Sequence, residues 1–208
     1  MSGEDEPERC RISLTIDGGE GRPSDADLRQ AIASGDVAAV VIRPPRSGAD
    51  VPRLRILVKA IQSRDVAVMI ADDLDLALAT GADGLHLSDF TDTPQNEARF
   101  AAARRRLGAD AILGAGVGLS RHDAMTAGEL GASYVEFAIQ GGDADADALA
   151  ELTAWWSEVF EVPLVAGGLT RAAEAGLMAE AGADFVGLIA GPSDGLAGLV
   201  AAVEAAIA

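Results

Sequence analysis

Gly81-Ala82-Asp83-Gly84-Leu85-His86-Leu87 ends one helical pattern and opens a strand, and the chain makes the same transition three more times. The other copies are Gly108-Ala109-Asp110-Ala111-Ile112-Leu113, Gly131-Ala132-Ser133-Tyr134-Val135-Glu136-Phe137 and Gly182-Ala183-Asp184-Phe185-Val186-Gly187-Leu188. Their starts lie 27, 23 and 51 residues apart. The last interval spans two repeats and holds one further strand, Val162-Pro163-Leu164-Val165-Ala166. A repeat of roughly 25 residues that alternates helix with short strand is the pattern of βα units on a parallel sheet. The leading glycine ends each helix in a left-handed conformation that other residues adopt only at a cost.

Working outward, strands are expected at 11–16, 37–42, 66–71, 84–87, 111–114, 134–138, 162–166 and 185–189. Helix starts are marked by Ser24 or Asp25, Asp50, Asp72-Asp73, Pro94, Ser120 and Thr170, all residue types that favour the first turn. Leu149, Leu152, Trp155, Trp156 and Val159 form the apolar face of the sixth helix. Eight strands alternating with eight helices predict a single (β/α)8 TIM barrel over residues 10–208, behind a disordered acidic leader at 1–9. An open doubly wound sheet is the alternative. At 208 residues the chain is short for a barrel, which usually runs to about 250, so its loops must be minimal.

Hydrophobic residues make up 49% of the chain and charged residues 24%, which suits strands buried on both faces. A net charge of −17 argues against nucleic acid and against an anionic membrane surface. No apolar run is long enough to span a bilayer, and the acidic N-terminus is unlike a signal peptide, so the cytoplasm is the expected compartment. Cys10 is the one cysteine, which excludes an internal disulfide. Lys59 is the one lysine among 16 basic residues and falls inside a helix. Schiff-base chemistry, which needs a lysine on a strand, is thereby disfavoured.

In a barrel the site lies at the C-terminal strand ends. The candidates there are Asp17, Arg43, Arg46, Asp72, Asp73, His86, Asp89, Asp92, Gly116, Gly118, Gln140, Gly167, Gly168, Ala190 and Gly191. Gly167-Gly168 and Ala190-Gly191 follow consecutive strands, where barrel enzymes often hold a phosphate on backbone amides; tight turns without ligand are the plainer reading. Asp72-Asp73 offers either a Mg²⁺ ligand or a helix cap, and Asp89 and Asp92 stand one strand over. Arg43 and Arg46 flank a Pro-Pro turn and could grip an anion. His86 alternates with Leu85 and Leu87 and reads first as a packed, hydrogen-bonded core histidine. His122 is expected to be exposed.

These residues resemble the thiamine phosphate synthase family, which includes the thiazole tautomerases. Met69 to Ala77 through Gly81 to Leu87 is similar to that family's strand, Asn-Asp, helix and Gly-Ala-Asp-Gly-x-His segment. Val162 to Thr170 through Gly182 to Leu188 is similar to its Val-Pro-x-x-Ala-Ile-Gly-Gly-Ile and Ala-Gly-Ala-Asp-Gly-Val blocks. The resemblance implies a TIM barrel that joins hydroxymethylpyrimidine diphosphate to thiazole phosphate with Mg²⁺. It implies Asp72 as a metal ligand with Asp89 nearby, Arg43 on the diphosphate, and Gly167, Gly168, Ala190 and Gly191 around the thiazole phosphate. Several positions depart from the family pattern. Ala71 replaces the asparagine, Ser88-Asp89 replaces Gly-Gln, and the second metal aspartate falls near Thr91. Gly116-Val117-Gly118 replaces a Ser/Thr-rich turn. Ile139-Gln140-Gly141-Gly142 replaces a longer loop with Thr-x-x-Lys, and no lysine remains for that role. The tautomerase's catalytic histidine is also missing. Two expectations follow: a synthase weakened or silenced at its diphosphate site, or a non-catalytic relative that binds a phosphorylated metabolite or a protein partner. A homodimer is open to either.

Overall fold

In the computed structural model the strands are β1 (Arg11–Asp17), β2 (Val37–Arg43), β3 (Ala67–Ala71), β4 (Gly84–Leu87), β5 (Ile112–Gly116), β6 (Tyr134–Ala138), β7 (Leu164–Leu169) and β8 (Phe185–Ala190). Each is followed by its helix: α1 (Asp25–Ile32), α2 (Val51–Gln62), α3 (Leu74–Thr80), α4 (Pro94–Leu107), α5 (Arg121–Glu129), α6 (Asp143–Val159), α7 (Ala172–Glu180) and α8 (Leu196–Ile207). The structure describes residues 9–19, 22–45, 48–139, 145–190 and 195–208, and the backbone alone of 143–144. The expected leader falls almost wholly outside these. All strands are parallel and pair in chain order, with β8 closing on β1. The closed barrel, not the open sheet, is the architecture.

Alternation along the strands sorts side chains into two layers. Ile12, Leu14, Val40, Ile70, Leu85, Leu87, Val135, Phe137 and Leu188 point outward and pack beneath the helices. Val41, Met69, Ala71, Tyr134 and Val165, with Ala39, Ala67, Ile112 and Phe185, form the interior. Ser13, Ala39 and Ala67 are small, and a cavity of about 310 Å³ lies in the lower half of the barrel.

The four repeat glycines all have positive φ: 74° at Gly81, 99° at Gly108, 83° at Gly131 and 93° at Gly182. The third repeat residue has a role the sequence did not disclose. Asp83 accepts a hydrogen bond from the Val68 N–H (2.7 Å), Ser133 from the Leu113 N–H (3.0 Å) and Asp184 from the Leu164 N–H (2.7 Å). Each side chain thus satisfies the start of the preceding strand and ties β3 to β4, β5 to β6 and β7 to β8. Asp36 makes the corresponding tie between β1 and β2 through a two-pronged contact with Arg11. At Gly108-Ala109-Asp110 the pattern differs: Arg104 donates to the carbonyls of Ala109 (2.9 Å) and Ala111 (2.7 Å).

Several expected boundaries move. Strand β7 begins at Leu164 and continues through Gly167-Gly168, with a register shift against β8 between Ala166 and Leu169. The glycines therefore form a bulge inside the strand. Strand β5 extends to Gly116. Thr170 does not cap α7. Arg171 takes that position, and the Glu174 carboxylate accepts from the N–H groups of both Thr170 and Arg171.

Replacing Asp184 with alanine leaves the Leu164 N–H without its acceptor. A loss of about 1–3 kcal/mol is expected, seen as a fall in thermal midpoint of roughly 2–4 °C per kcal/mol for a chain of this size.

Candidate active site

At the C-terminal end of the barrel, β1 and β2 place Asp17 opposite Arg43 in register. Both are exposed. Val40 and Ile42 face the helices, so Arg43 falls on the inner side of the rim. Among the described residues Arg43 has no ion-pair partner. Arg46, Gln140 and Gly191 lie outside the described residues, so their expected roles have no geometry attached.

The two aspartates after β3 divide the roles proposed for them. Asp73 caps α3, accepting from the Leu76 N–H at 2.9 Å. Asp72 sits at φ 58°, a left-handed conformation that costs a non-glycine residue roughly 1 kcal/mol or more. Its N–H donates to the His86 carbonyl (2.9 Å). Its Oδ1 accepts from the Ser88 N–H (3.1 Å) and from Arg99 Nη2 (3.2 Å). These contacts turn the carboxylate over the rim toward β4. Asp89 is exposed on the adjoining turn. Asp92 instead pairs with His122, Nε2 to Oδ2 at 2.7 Å, and His122 is exposed as expected.

Among the described residues no group of three or more His, Cys, Asp or Glu could by itself hold a metal. Mg²⁺ commonly needs only one or two protein carboxylates, with substrate phosphates and water completing its octahedron. Asp72 and Asp89, on the turns after β3 and β4, are carboxylates of the kind that such a site uses.

His86 points into the barrel, since Leu85 and Leu87 face the helices. It is buried, with Nδ1 2.9 Å from the Tyr134 hydroxyl and Nε2 3.1 Å from Glu136 Oε2. The packed, hydrogen-bonded histidine expected from the sequence is what the fold contains. Room for the trio comes from missing side chains. A Cβ at Gly114 would overlap the Tyr134 ring, one at Gly116 would lie 3.2 Å from His86 Nε2, and one at Gly167 would overlap Glu136 Oε1. Burial, and next the Glu136 charge, hold the Tyr134 hydroxyl well above its usual pKa, so it keeps its proton. With a neutral imidazole, Tyr134 O–H donates to Nδ1 and Nε2–H donates to Glu136. Glu136 is not among the site candidates that the sequence singles out. A glutamate two residues after a tyrosine, on the inward-facing positions, was the available signal.

Beyond Glu136 lies the glycine bulge. Gly168 has φ 80°, and a Cβ there would overlap the Ile139 carbonyl oxygen. Gly167 and Gly168 therefore let β7 approach the β6 turn closely. Ala190 is buried with its side chain among the outward-facing residues, so it can offer a ligand only its backbone. The nearby N-terminus of α7 already holds an anion, Glu174, whose carboxyl is kept below its ordinary pKa of 4.5 first by the hydrogen bond from Arg171. Cys10 is partly buried, and burial raises its thiol to about 11. It is neutral at physiological pH and away from the mouth, in keeping with an incidental residue.

The Gly167-Gly168 bulge of β7 and the carboxylates after β3 and β4 thus share one end of a closed parallel barrel. Residues 15–191 match the family described as thiamine monophosphate synthase. The chain is 42% identical over 183 residues to the thiamine-phosphate synthase of Rhodospirillum centenum, covering 85% of each chain. It is 34% identical over 188 residues to that of Hyphomonas neptunium, covering 86% of this chain and 82% of the relative. Its fold is similar to that of thiamine phosphate pyrophosphorylase from Pyrococcus furiosus, with a TM-score of 0.72, 20% identity and coverage of 94% and 95%. The chain belongs to the thiamine monophosphate synthase family, the transferases of thiamine biosynthesis.

The Glu174 contacts can be tested by pH. A depressed folded-state pKa stabilises the protein above about 4.5, and the benefit fades as pH falls through the lower folded value. Glu174→Gln should cost about 0.5–2 kcal/mol at pH 7. In urea melts its difference from wild type should shrink as pH drops below 4.5.

Proposed function

We propose that this chain receives a phosphorylated thiazole at the barrel mouth and couples it to hydroxymethylpyrimidine diphosphate at a rate far below that of a full thiamine-phosphate synthase. In the coupling, the pyrimidine methylene–oxygen bond breaks, diphosphate leaves with the bonding pair, and the thiazole nitrogen forms the new C–N bond. Charge accumulates on the departing diphosphate, so cations at the mouth set the rate.

The distribution of charge around the mouth carries this reading. Asp17, Asp72, Asp89 and Glu136 lie at or within the mouth, Arg99 is committed to Asp72, and Lys59 lies in α2, outside the barrel. Arg43 is a rim cation without an ion-pair partner among the described residues. One donor to developing charge is worth ~3 kcal/mol, about a hundredfold in rate. The missing lysine after β6 alone therefore removes a large share of the acceleration. Mg²⁺ on Asp72 and Asp89, when bound, would neutralise part of the leaving group's charge. Arg43 would bind the diphosphate, and the Gly167-Gly168 bulge with the backbone at Ala190 and Gly191 would receive the thiazole phosphate.

The cytoplasm is the compartment we assign. Among the described residues no helix is long and apolar enough to cross a membrane.

Pyrophosphate with Mg²⁺ is the simplest probe of the diphosphate site. Calorimetry should show binding to wild type and roughly tenfold or greater weakening in Arg43→Ala. Asp72→Asn keeps a residue that tolerates positive φ, and should remove the Mg²⁺ dependence of that binding. Heat traces identical among the three proteins would refute this site assignment.

A thiamine-requiring, synthase-null strain expressing the chain should grow poorly or not at all without thiamine. Robust growth would show the coupling to be intact and the charge argument wrong.

A further inference from the structure

Glu136 is a carboxylate in the interior of a barrel whose expected ligands are anionic. Its side chain is 16% exposed. One oxygen is engaged by His86 Nε2 at 3.1 Å. The other lies against Gly167 and 3.4 Å from where a Cβ of Gly187 would be. Among the described residues that second oxygen accepts no hydrogen bond, and it lies against Gly167 of β7 and near Gly187 of β8. A phosphate placed beside this carboxylate would be repelled by it. The group suited to meet Glu136 is then the other end of the ligand, as a hydrogen-bond donor or as a centre that carries or gains positive charge.

We propose that Glu136, oriented by His86 and Tyr134, stabilises positive charge on the ring nitrogen of a phosphorylated thiazole as that nitrogen becomes quaternary. The inference rests on the reading that the mouth receives this ring, and adds which group the ring nitrogen meets. A neutral thiazole nitrogen presents a lone pair and gains nothing from a carboxylate. Once the lone pair forms the C–N bond, the ring is a thiazolium and the attraction turns on. An interaction stronger in the transition state than in the ground state accelerates the step. The Tyr134–His86 pair supports this role by holding the carboxylate in place before charge develops. It also supplies Glu136 with a donor, and so keeps the buried anion tolerable when no ligand is bound. Gly114 and Gly167 are necessary to the arrangement, since a side chain at the first would displace Tyr134 and at the second would displace the carboxylate.

Binding separates the proposal from catalytic strength. Two probes differ only in charge and a methyl group: thiazole phosphate and its N-methylthiazolium counterpart. Calorimetry on the full chain should show wild type preferring the thiazolium. Glu136→Gln, which is isosteric and can still accept from His86, should lower the thiazolium-to-thiazole affinity ratio roughly tenfold. Affinity for neutral thiazole phosphate should be unchanged or improved. If Glu136→Gln does not fold, Gly167→Ala serves, because the added methyl moves the carboxylate aside and should lower the same ratio. An unchanged ratio in a folded variant overturns the role of Glu136 while leaving the thiazole reading standing. Failure of wild type to bind either probe overturns both.

Discussion

A parallel strand leaves its first N–H groups to be satisfied from outside its own ladder, and the organisation of this barrel depends on how the chain meets that need. Asp83, Ser133 and Asp184 each stand just before a strand and accept a hydrogen bond from the beginning of the strand before it. The bond is local in three dimensions but spans a whole helix in sequence, about 15 to 20 residues. It therefore couples the length of each connecting helix to the register of two strands. Register in turn decides which residues face inward. The inward set on β4 and β6 is what brings His86, Tyr134 and Glu136 together, and a one-residue slip of β6 would send Glu136 toward the helices.

Much of the fold was legible because its signals are local. Glycine at a helix end, an aspartate or serine at a helix start and an apolar run of five residues each act over one turn or one strand. Their alternation gives the barrel count directly. The repeat also concealed chemistry. Asp83, Asp110 and Asp184 look alike in sequence, yet Asp83 and Asp184 cap strand starts, while Arg104 holds the loop containing Asp110. Thr170 illustrates a second limit. It is a good cap by type, but α7 starts one residue later behind Arg171, and Glu174 reaches back to the N–H groups of Thr170 and Arg171 themselves.

The candidate site was legible in outline and not in its interior. Strand-end glycines, Asp72 and Arg43 could be assigned to one face by topology alone. What the side chains do to one another depends on distances between strands far apart in sequence. Glu136 and His86 are fifty positions apart and touch only because Gly114 and Gly116 on the intervening strand have no side chains. The same geometry sets the half-buried Glu136 carboxylate against the glycine bulge of β7. On the proposed reading, a phosphorylated ligand would enter this mouth with its phosphate outward and its ring inward.

The strand ties also divide the barrel into pairs. Asp36, Asp83, Ser133 and Asp184 all lie in the connections that lead into even-numbered strands. The connections at 63–66 and 160–163 carry no comparable side-chain tie across strands among the described residues. A chain recut so that its new ends fall at either of those connections keeps every tie within a covalently continuous unit. One recut between α3 and β4, or between α7 and β8, puts new ends beside the aspartate that fixes the neighbouring strand. Tolerance to circular permutation should follow this two-strand period.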